Sequence, residues 1–495
     1  MSPSVEPFNE AKYKALMDGR EIAEVLYKKL SEIIDYRIES EYFSKKFINN
    51  EMLLFDRPCK NFDLIATASN GRAYSSEAFS SEGELYISKI GDVTNKREID
   101  AWEKLSYQEF KSLKGALLKD GDILMTLTGD PPDVGKVNMV STNGKKCTWN
   151  QRVARIGRLT DYYISNYVLY AMLSSELCRI QLERFAKGIR QRNLGNECFS
   201  FVKLPMLCIK LQTALDEVTR KHIDLLEKSK ELYLEAQKTL NEQIGLKDNG
   251  VLDNSIAVKS FKKSFENTGR LDAEYYQLKY DILYETLKKF SCKTLGGNKG
   301  IVNIKKSIEP GSKVYQDEGI PFVRVSDINK FEISDPKIHL PINIVEDTTK
   351  LYPKKDTILF SKDGSVGIAY KLEEDSKFIT SGAILHLTVK NADEVLPDYL
   401  TLILNSNVVQ LQAERDSNGA IIQHWKPSDI EKVIIPVLDM RIQQEISAKV
   451  RTSFSLRRES KELLKYATLA IEIAIEQSEE IAEKWLKEKV ANLEV

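Results

Sequence analysis

Hydrophobic and polar positions follow two different periods along the chain. Short apolar runs broken by Gly, Asp, Asn and Pro fill two stretches, residues 44–208 and 277–438. The clearest runs are DILMTL (122–127), TILFS (357–361) and AILHLTV (383–389). Short apolar runs between turn-forming residues predict buried β-strands. Two globular regions are therefore expected, each with strands followed by a helical run.

Two longer segments have the spacing of amphipathic helices instead. From about Leu211 to Leu246, and again from about Arg441 to Lys489, apolar residues recur at steps of three, four or seven. Such stripes suit the packing of one helix on another. At ~1.5 Å per residue the first helix is on the order of 50 Å long. A small core does not need that length, so we predict a spacer helix; one helix of an ordinary bundle is the weaker alternative.

The chain is predicted to contain an internal duplication. RIESEYF (Arg37–Phe43) matches RLDAEYY (Arg270–Tyr276) at its Arg, Glu and Tyr positions. Further matches follow in the same order at a nearly constant separation, which chance does not readily produce. They pair Tyr86–Val93 with Phe322–Ile328, Lys119–Lys136 with Lys354–Ile368, Tyr167–Ser175 with Tyr399–Asn407, and Val202–Leu207 with Val433–Leu438.

The duplication divides the chain into successive segments. Each copy has a leading segment, a globular domain and a long helix, and KDNGVLDN (247–254) has the turn chemistry of a linker between the copies. The predicted order is a leading segment at 1–43, a domain at 44–208, a spacer helix at 209–247, the linker with the second leading segment at 248–276, a domain at 277–438 and a spacer helix at 439–495.

Composition and charge narrow the class of protein. The chain has 495 residues, 42% of them hydrophobic, and a formal net charge of −1; several ordinary domains fit these values, and any DNA-binding surface must be local. The six cysteines form no C-x-x-C pair and there are four histidines, so we expect free thiols in a reducing cytoplasm, not a zinc site. With a polar amino terminus and no long apolar run, we expect a cytoplasmic protein that is neither secreted nor membrane-spanning.

The sequence carries no complete catalytic motif. Asp130–Pro132 resembles the start of an amino-methyltransferase motif, but Asp133 follows where an aromatic residue should stack on a flipped base. No Gly-rich cofactor loop follows a strand, and no G-x-x-x-x-G-K-[ST] phosphate loop is present. His222 lies on the apolar stripe of the first long helix, which favours a packed histidine over a metal ligand. We therefore expect a chain that is not an enzyme and has no cofactor or metal ion of its own.

Several segments resemble the specificity subunits of type I restriction-modification systems. In the second copy these are FVRVSDI (322–328), DTILFSKDGSVGIAY (356–370), TSGAILHLTV (380–389) and SNGAIIQHWKPSDIEKVIIPVL with the QQEI that follows (417–446). RLDAEYY is similar to the leading segment of the same family. The resemblance covers nearly the whole chain. It is looser in the first copy, where TLTGDPPDVGK (126–136) replaces a tighter turn.

The resemblance implies both a fold and a function. The fold is mixed α+β, with two α/β target-recognition domains in a pseudo-twofold repeat, separated by two long antiparallel coiled-coil helices. Each domain would read one half of a bipartite site in double-stranded DNA, and the helices would dock methyltransferase subunits, two of them. S-adenosylmethionine, ATP and Mg²⁺ would reside on those subunits and on restriction-translocase subunits. The alternative is a structural adaptor, or a DNA-binding scaffold of a methylation-based defence system without restriction.

One loop in each copy is the first candidate for DNA reading. Arginine, lysine and amide side chains on exposed loops contact phosphates and base edges. The family places a loop near DNA at the position of the second one, where Gly419, Ala420 and Gln423 match its pattern, and Trp425 is expected to pack. A solvated loop or helix cap is an equal alternative for the first one. The candidate residues are Lys187, Arg190, Gln191, Arg192 and Asn193 in the first copy, and Asn418, Gly419, Gln423 and His424 in the second.

The turn after the central strand is the second candidate in each copy. Gly364 and Gly367 would let the backbone approach a phosphate, although a tight β-turn with incidental polar residues explains the pattern as well. Lys89 and Arg324 could also contact phosphate, or form salt bridges with Asp92 and Asp327. The turn candidates are Thr126, Thr128 and Lys136 in the first copy, and Ser361, Lys362 and Ser365 in the second.

Overall fold

The computed structural model describes residues 9–18, 20, 37–112, 117–130, 133–188, 191–246, 257–344, 349–419 and 423–493. The chain divides into two compact units. The first unit comprises residues 1–227 and 457–495, and the second comprises residues 228–456. Each of the two longest helices contributes a part to both units. Among the described residues, no helix is both long enough and apolar enough to cross a membrane.

The described helices range from single turns to ten turns. They are α1 Glu10–Met17, α2 Lys45–Phe55, α3 Ile90–Thr94, α4 Tyr107–Ser112, α5 Asn166–Ser174, α6 Glu176–Phe185, α7 Ile209–Ile244, α8 Phe265–Thr268, α9 Leu278–Leu287, α10 Pro397–Leu404, α11 Asn407–Asp416, α12 Pro427–Ile430, α13 Met440–Glu476 and α14 Glu479–Ala491.

The described strands are short. In the first unit they are β1 Cys59–Asn61, β2 Ala66–Asn70, β3 Leu85–Ser88, β4 Glu103–Leu105, β5 Ile123–Thr126, β6 Thr128–Gly129, β7 Val137–Met139, β8 Lys146–Trp149, β9 Val153–Arg158, β10 Arg192–Asn193 and β11 Lys203–Pro205. In the second unit they are β12 Cys292–Thr294, β13 Val302–Lys306, β14 Ile320–Val323, β15 His339–Leu340, β16 Ile358–Ser361, β17 Asp363–Gly364, β18 Ala369–Lys371, β19 Ile379–Thr380, β20 Ile384–Val389, β21 Gln423–His424 and β22 Ile434–Pro436.

The first unit is built on a four-stranded antiparallel sheet in the order β2-β9-β5-β7. All four residues of β5 are buried, as the apolar run at 122–127 predicts. A second sheet, β4-β3-β8, contains the parallel pair β3–β8. The larger sheet packs against α5, α6 and one end of α7 in a continuous apolar core.

The second unit has the same strand order. Its four-stranded antiparallel sheet runs β13-β20-β16-β18, and its smaller sheet, β15-β14-β19, also contains a parallel pair. Strands β16 and β20 coincide with the apolar runs predicted at 357–361 and 383–389. Two-stranded ladders complete each unit: β1 with β11 and β6 with β10 in the first, β12 with β22 and β17 with β21 in the second.

In the first unit, α7 and α13 run in opposite directions. Near the start of α7, the N–H of Cys208 donates to Oε2 of Glu479, just beyond the end of α13, at 2.6 Å. Further along α7, Nδ1 of His222 lies 2.7 Å from both the carbonyl oxygen and the hydroxyl of Ser460. Because later residues of α7 meet earlier residues of α13, the two segments are antiparallel. His222 is 2% exposed, so it is the packed histidine that the stripe predicts.

In the second unit, the other halves of α7 and α13 meet in the same sense. The hydroxyls of Ser229 and Ser453 lie 3.1 Å apart and are buried. Beyond Ser229, Oε2 of Glu235 lies 3.8 Å from Nζ of Lys449. Here too, later residues of α7 contact earlier residues of α13, so these two helix segments are antiparallel.

The second long helix is interrupted where the sequence predicts continuity. We predict one helix to about Lys489, but α13 ends at Glu476 and α14 begins at Glu479. Between them Ser478 has an extended backbone, and its side chain accepts a hydrogen bond from the N–H of Ile481. A serine that caps the next helix satisfies an otherwise unpaired N–H. The apolar spacing continues across this break, so periodicity does not reveal it.

Candidate nucleic-acid interface

In the first unit the predicted loop leaves the end of α6 and closes on its own backbone. The N–H of Lys187 donates to the carbonyl of Asn193 at 2.9 Å, and the N–H of Asn193 donates to the carbonyl of Lys187 at 2.8 Å. Strand β10 then pairs with β6, which follows the central strand β5. The loop therefore stands on a short antiparallel stem. The candidate Arg190 lies outside the described residues.

The second unit forms the same stem. The N–H of Asn418 donates to the carbonyl of His424 at 2.9 Å, and the N–H of His424 donates back to Asn418 at 2.6 Å. Strand β21 pairs with β17, which follows the central strand β16. Residues 420–422, including Ala420, lie outside the described part of the chain. The two loops that the sequence matches therefore leave their sheets at equivalent places.

A glycine with positive φ begins each loop. Gly188 has φ 123° and Gly419 has φ 117°, values that side chains other than glycine rarely adopt. A Cβ added at Gly188 would also overlap the carbonyl oxygen of Gln191. Glycine is therefore required at Gly188 by both conformation and space, and at Gly419 by conformation.

Exposed polar side chains surround the first stem. Gln191 and Asn193 are exposed and Arg192 is half-buried. Nη2 of Arg192 lies 3.5 Å from Oε2 of Glu41, a residue of the leading segment. Nζ of Lys187 lies 3.8 Å from Oε1 of Glu197. Each of these two cations therefore has a carboxylate within ion-pair distance beside the loop.

A side-chain pair crosses each stem at the same register. In the first unit the hydroxyl of Thr128 donates to Oδ1 of Asn193 at 2.7 Å. In the second, Nδ1 of His424 lies 2.9 Å from Oδ1 of Asp363. The sequence singled out Thr128, Asn193 and His424 but not Asp363. The matched turns could have indicated its position, whereas its pairing with a distant histidine requires the fold.

The second stem presents Gln423 and His424 on its surface. Both are exposed, and 62% of the His424 side chain is accessible. Trp425 is 1% exposed, and its ring centroid lies 5.8 Å from that of Phe360, so it packs as predicted. Asn418 and Gly419 are also exposed. The buried Trp425 ring therefore fixes one end of the stem, while Asn418, Gln423 and His424 face solvent.

Three of the turn candidates are buried at or near the ends of the central strands. Thr126 and Ser361 are fully buried at the ends of β5 and β16, and Thr128 is 8% exposed. The Ser361 hydroxyl donates to the carbonyl of Ser365 at 2.6 Å, and the Thr126 hydroxyl donates to the carbonyl of Asp133. A buried hydroxyl must be hydrogen-bonded, and here each one holds the shape of its own turn.

The remaining turn candidates stay accessible. Nζ of Lys136 lies 2.8 Å from Oδ1 of Asp133, with 36% of the lysine side chain exposed. Lys362 forms an ion pair with Asp363 and is half-buried. Ser365 is exposed. Part of the Lys136 side chain and the Ser365 side chain therefore face solvent, while Lys362 pairs with the Asp363 carboxylate that faces His424.

Lys89 and Arg324 occupy the same local structure. The backbone N–H of each donates at 2.8 Å to a carboxylate three residues later, Asp92 or Asp327. Arg324 also approaches its aspartate through Nε at 3.8 Å. Nζ of Lys89 instead lies 2.5 Å from Oε2 of Glu103. The Arg324 guanidinium therefore forms a salt bridge with Asp327, whereas the Lys89 ammonium pairs with Glu103.

The carboxylate of Asp92 is buried and has a structural role. It is 3% exposed, and burial raises its pKa, although the Lys89 N–H and the Arg97 guanidinium act in the opposite direction. Oδ1 of Asp92 lies 3.5 Å from Nη1 of Arg97. The backbone N–H of Lys89 holds this carboxylate, while the Lys89 ammonium pairs with Glu103 and lies 4.3 Å from the centroid of the Phe79 ring.

One family of known proteins is similar to part of the chain. The family described as type I restriction modification DNA specificity domain matches residues 296–465. This range contains the stem of Asn418 and His424 and the turn of Asp363. No curated protein matches the chain.

Three solved structures resemble the chain at low identity. The S subunit of the type I restriction-modification system from M. genitalium is 15% identical, with TM-score 0.36, and the match covers 87% of this chain and 96% of that one. The HsdS subunit from Thermoanaerobacter tengcongensis is 14% identical, with TM-score 0.26 and coverages of 85% and 97%. A structure on complex assembly and conformational transition of the type I R-M system is 14% identical, with TM-score 0.27 and coverages of 87% and 96%. Residues 296–465 are therefore similar to a type I restriction-modification DNA specificity domain.

Proposed function

We propose that both units read DNA, each contacting one half of a bipartite site, as the specificity subunit of a type I restriction-modification complex. The observation that carries this proposal is the pair of matching stems. Lys187 with Asn193, and Asn418 with His424, close their loops through the same two backbone hydrogen bonds. The same backbone therefore presents different side chains in the two units.

The exposed side chains suit the reading of base edges. Arginine and lysine pair with guanine, and asparagine and glutamine pair with adenine, in the major groove. Arg192, Gln191 and Asn193 provide such groups in the first unit, and Gln423 and Asn418 in the second. Lys136 and Lys187 lie beside the first stem, where phosphate contacts would add affinity without sequence preference. Two loops with different chemistry then imply two different half-sites.

The long helices would set the distance between the half-sites. We propose that α7 and α13 form an antiparallel coiled coil, with recognition domains at 44–208 and 277–438 arranged as a pseudo-twofold repeat. The antiparallel contacts in each unit, at His222 with Ser460 and at Ser229 with Ser453, support this arrangement. Two methyltransferase subunits would dock on the helices, and restriction-translocase subunits would join them.

The chemistry would then reside outside this chain. In this proposal the chain contributes recognition in the cytoplasm, where the DNA is, and its partners contribute methyl transfer from S-adenosylmethionine and ATP- and Mg²⁺-dependent translocation. The sequence motifs for those reactions are missing here. Methyl transfer by this chain alone would contradict the proposal.

A binding selection tests the proposed function. The chain with its methyltransferase subunits is mixed with random-sequence duplex DNA, and bound molecules are isolated by gel shift and sequenced. We expect two enriched sequence blocks separated by a constant gap. Replacing residues 44–204 by the equivalent part of a relative should change one block only. Enrichment of no sequence would favour the structural adaptor, and simultaneous change of both blocks would contradict one domain per half-site.

A further inference from the structure

The leading segment of each copy contacts the helix from which the reading loop starts. In the first unit two guanidinium groups lie against the ring of Tyr42, with Cζ of Arg37 at 4.7 Å and Cζ of Arg184 at 4.3 Å from the ring centroid. Arg37 and Tyr42 belong to the segment RIESEYF, and Arg184 belongs to the last turn of α6. The first unit therefore joins these two segments through an arginine–tyrosine–arginine cluster.

The second unit contains the same cluster. Cζ of Arg270 lies 4.4 Å and Cζ of Arg415 lies 4.9 Å from the centroid of the Tyr275 ring. Arg270 and Tyr275 belong to RLDAEYY, and Arg415 belongs to the last turn of α11. A guanidinium within about 6 Å of an aromatic centroid is attracted by the ring. Two independent occurrences at matching positions make an incidental contact a poor explanation.

Further hydrogen bonds fix the first cluster in place. Nη1 of Arg37 donates to the carbonyl of Arg184 at 3.1 Å, which satisfies a carbonyl in the last turn of α6. Nε of Arg184 donates to the carbonyl of Tyr42 at 3.0 Å, and its Nη1 donates to Oε2 of Glu51 at 2.9 Å. The leading segment and the end of α6 are thus bonded in both directions.

Carboxylates hold the guanidinium groups of the second cluster. Arg270 donates to both oxygens of Asp272, at 2.8 and 2.5 Å, and Arg415 donates to both oxygens of Asp416, at 2.8 and 3.2 Å. A second ring, that of Tyr284 on α9, lies 4.5 Å from Cζ of Arg415. These hydrogen bonds fix the orientation of both guanidinium groups, because the planar guanidinium is preorganised for paired hydrogen bonds to a carboxylate.

The clusters lie directly before the reading loops. Helix α6 ends at Phe185 and the stem begins at Lys187; helix α11 ends at Asp416 and the stem begins at Asn418. The direction in which each helix ends determines where its loop emerges. In the first unit Glu41 of the leading segment reaches the loop itself, through its ion pair with Arg192.

We propose that the leading segment of each copy is a positioning clamp for that copy's reading loop, acting through Tyr42 in the first copy and Tyr275 in the second. The inference rests on the proposed function. The clamp residues orient the loop without touching DNA themselves. Each clamp acts on its own half-site, because each cluster lies within a single unit.

Substitutions at Tyr275 test the clamp in the full chain assembled with its methyltransferase subunits. The selection from random-sequence duplex DNA is repeated for wild type, Tyr275→Phe, Tyr275→Leu and Tyr275→Ala, with thermal unfolding of each. Phenylalanine keeps the ring, leucine keeps apolar volume without it, and alanine keeps neither. We expect the leucine and alanine variants to lose enrichment of one block and to bind the selected site about tenfold more weakly. The Tyr275→Phe variant should keep the enrichment of this block, and its affinity for the selected site should stay within about twofold of wild type.

The matched substitution in the first copy gives the reciprocal result. Tyr42→Leu should weaken the other block and leave the block affected by Tyr275 unchanged. If Tyr275→Leu keeps both blocks, or weakens both equally, the clamp is contradicted. If Tyr275→Ala lowers the unfolding temperature, the clamp is tested by comparing the Tyr275→Phe and Tyr275→Leu variants. If Tyr275 acted only by packing, these two variants would show the same enrichment and affinity. A wild-type selection without two blocks would instead contradict the proposed function.

Discussion

His424 and Asp363 form a side-chain pair across a two-stranded stem, with Nδ1 and Oδ1 2.9 Å apart. At the same register in the other unit, Thr128 donates to Asn193. One pair is an imidazole with a carboxylate, the other a hydroxyl with an amide. Matching stem hydrogen bonds with different cross-strand side chains fit the proposal that the two units read different sequences.

Removing the His424 side chain should weaken reading of one half-site without unfolding the protein. Its side chain is 62% exposed, so His424→Ala loses little burial. We expect a loss of about 1–3 kcal/mol in binding to the selected DNA, with relaxed preference in one block. Fluorescence anisotropy on the selected duplex measures it. Lys288→Ala, at a side chain 69% exposed directly after α9, is the control and should bind normally. If the His424→Ala and Lys288→Ala variants bind the duplex equally well, His424 does not contact DNA.

Replacing Gly188 by alanine should disturb the first loop selectively. The positive φ and the overlap with the Gln191 carbonyl force the backbone to shift, at a cost of about 1–2 kcal/mol for the conformation alone. We expect reduced enrichment of the first copy's block only. Gly91→Ala is the matched control, because its added Cβ would meet the Arg97 side chain at an ordinary 3.7 Å. A Gly188 variant with an unaltered selection would show that this loop does not read DNA.

Lengthening both long helices should lengthen the gap and spare the half-sites. A heptad that keeps the apolar spacing is inserted after Glu227 and after Leu456, where the two units meet along the chain. Seven residues add on the order of 10 Å and about two whole turns, equivalent to about three base pairs. The selected gap should grow by that amount. Insertion in one helix alone should abolish bipartite selection, and an unchanged gap in the double insertion would rule out the spacer role.

Acid should destabilise the fold through His386. This residue of β20 is 5% exposed and its Nε2 lies 2.8 Å from the Thr380 hydroxyl. Burial, with a smaller effect of Lys305, lowers the pKa of His386 from 6.5 to about 4. The unfolded chain therefore takes up this proton first, so the contribution is complete above pH 6.5 and is lost as the pH falls towards 4. The loss amounts to about 3 kcal/mol.

Urea unfolding measured across this range of pH checks the effect. His386→Gln should show a flatter fall of the unfolding free energy between pH 6.5 and 4 than wild type. If the His386 variant follows the wild-type curve instead, the buried imidazole is not the group that titrates.

The sequence predicts those parts of the fold that depend on local pattern. The apolar runs at 122–127 and 357–361 become the buried strands β5 and β16, each of which has three consecutive apolar residues before its last, hydroxyl-bearing residue. The first long helix ends near its predicted limit because Gly245, with φ 72°, follows it. The end of α13 was missed, since a capping serine at Ser478 stops the helix without breaking the apolar spacing.

The candidate site is predictable in position and less so in role. Matched segments brought the loops at Lys187 and Asn418 into correspondence, and their backbones agree. Thr126 and Ser361 look like surface polar residues in a turn, yet each closes a buried strand. Which side of a strand end faces solvent depends on the sheet order, and one sequence does not contain that information.

Mapping methylated adenines in cells that carry this chain with its methyltransferase and restriction partners tests the central claim most directly. The account predicts modified adenines within a single bipartite sequence of two blocks at a fixed gap, and exchange of residues 44–204 should rewrite one block while the gap stays constant. Methylation at one uninterrupted motif, or a pattern that does not change when the domain is exchanged, would contradict it.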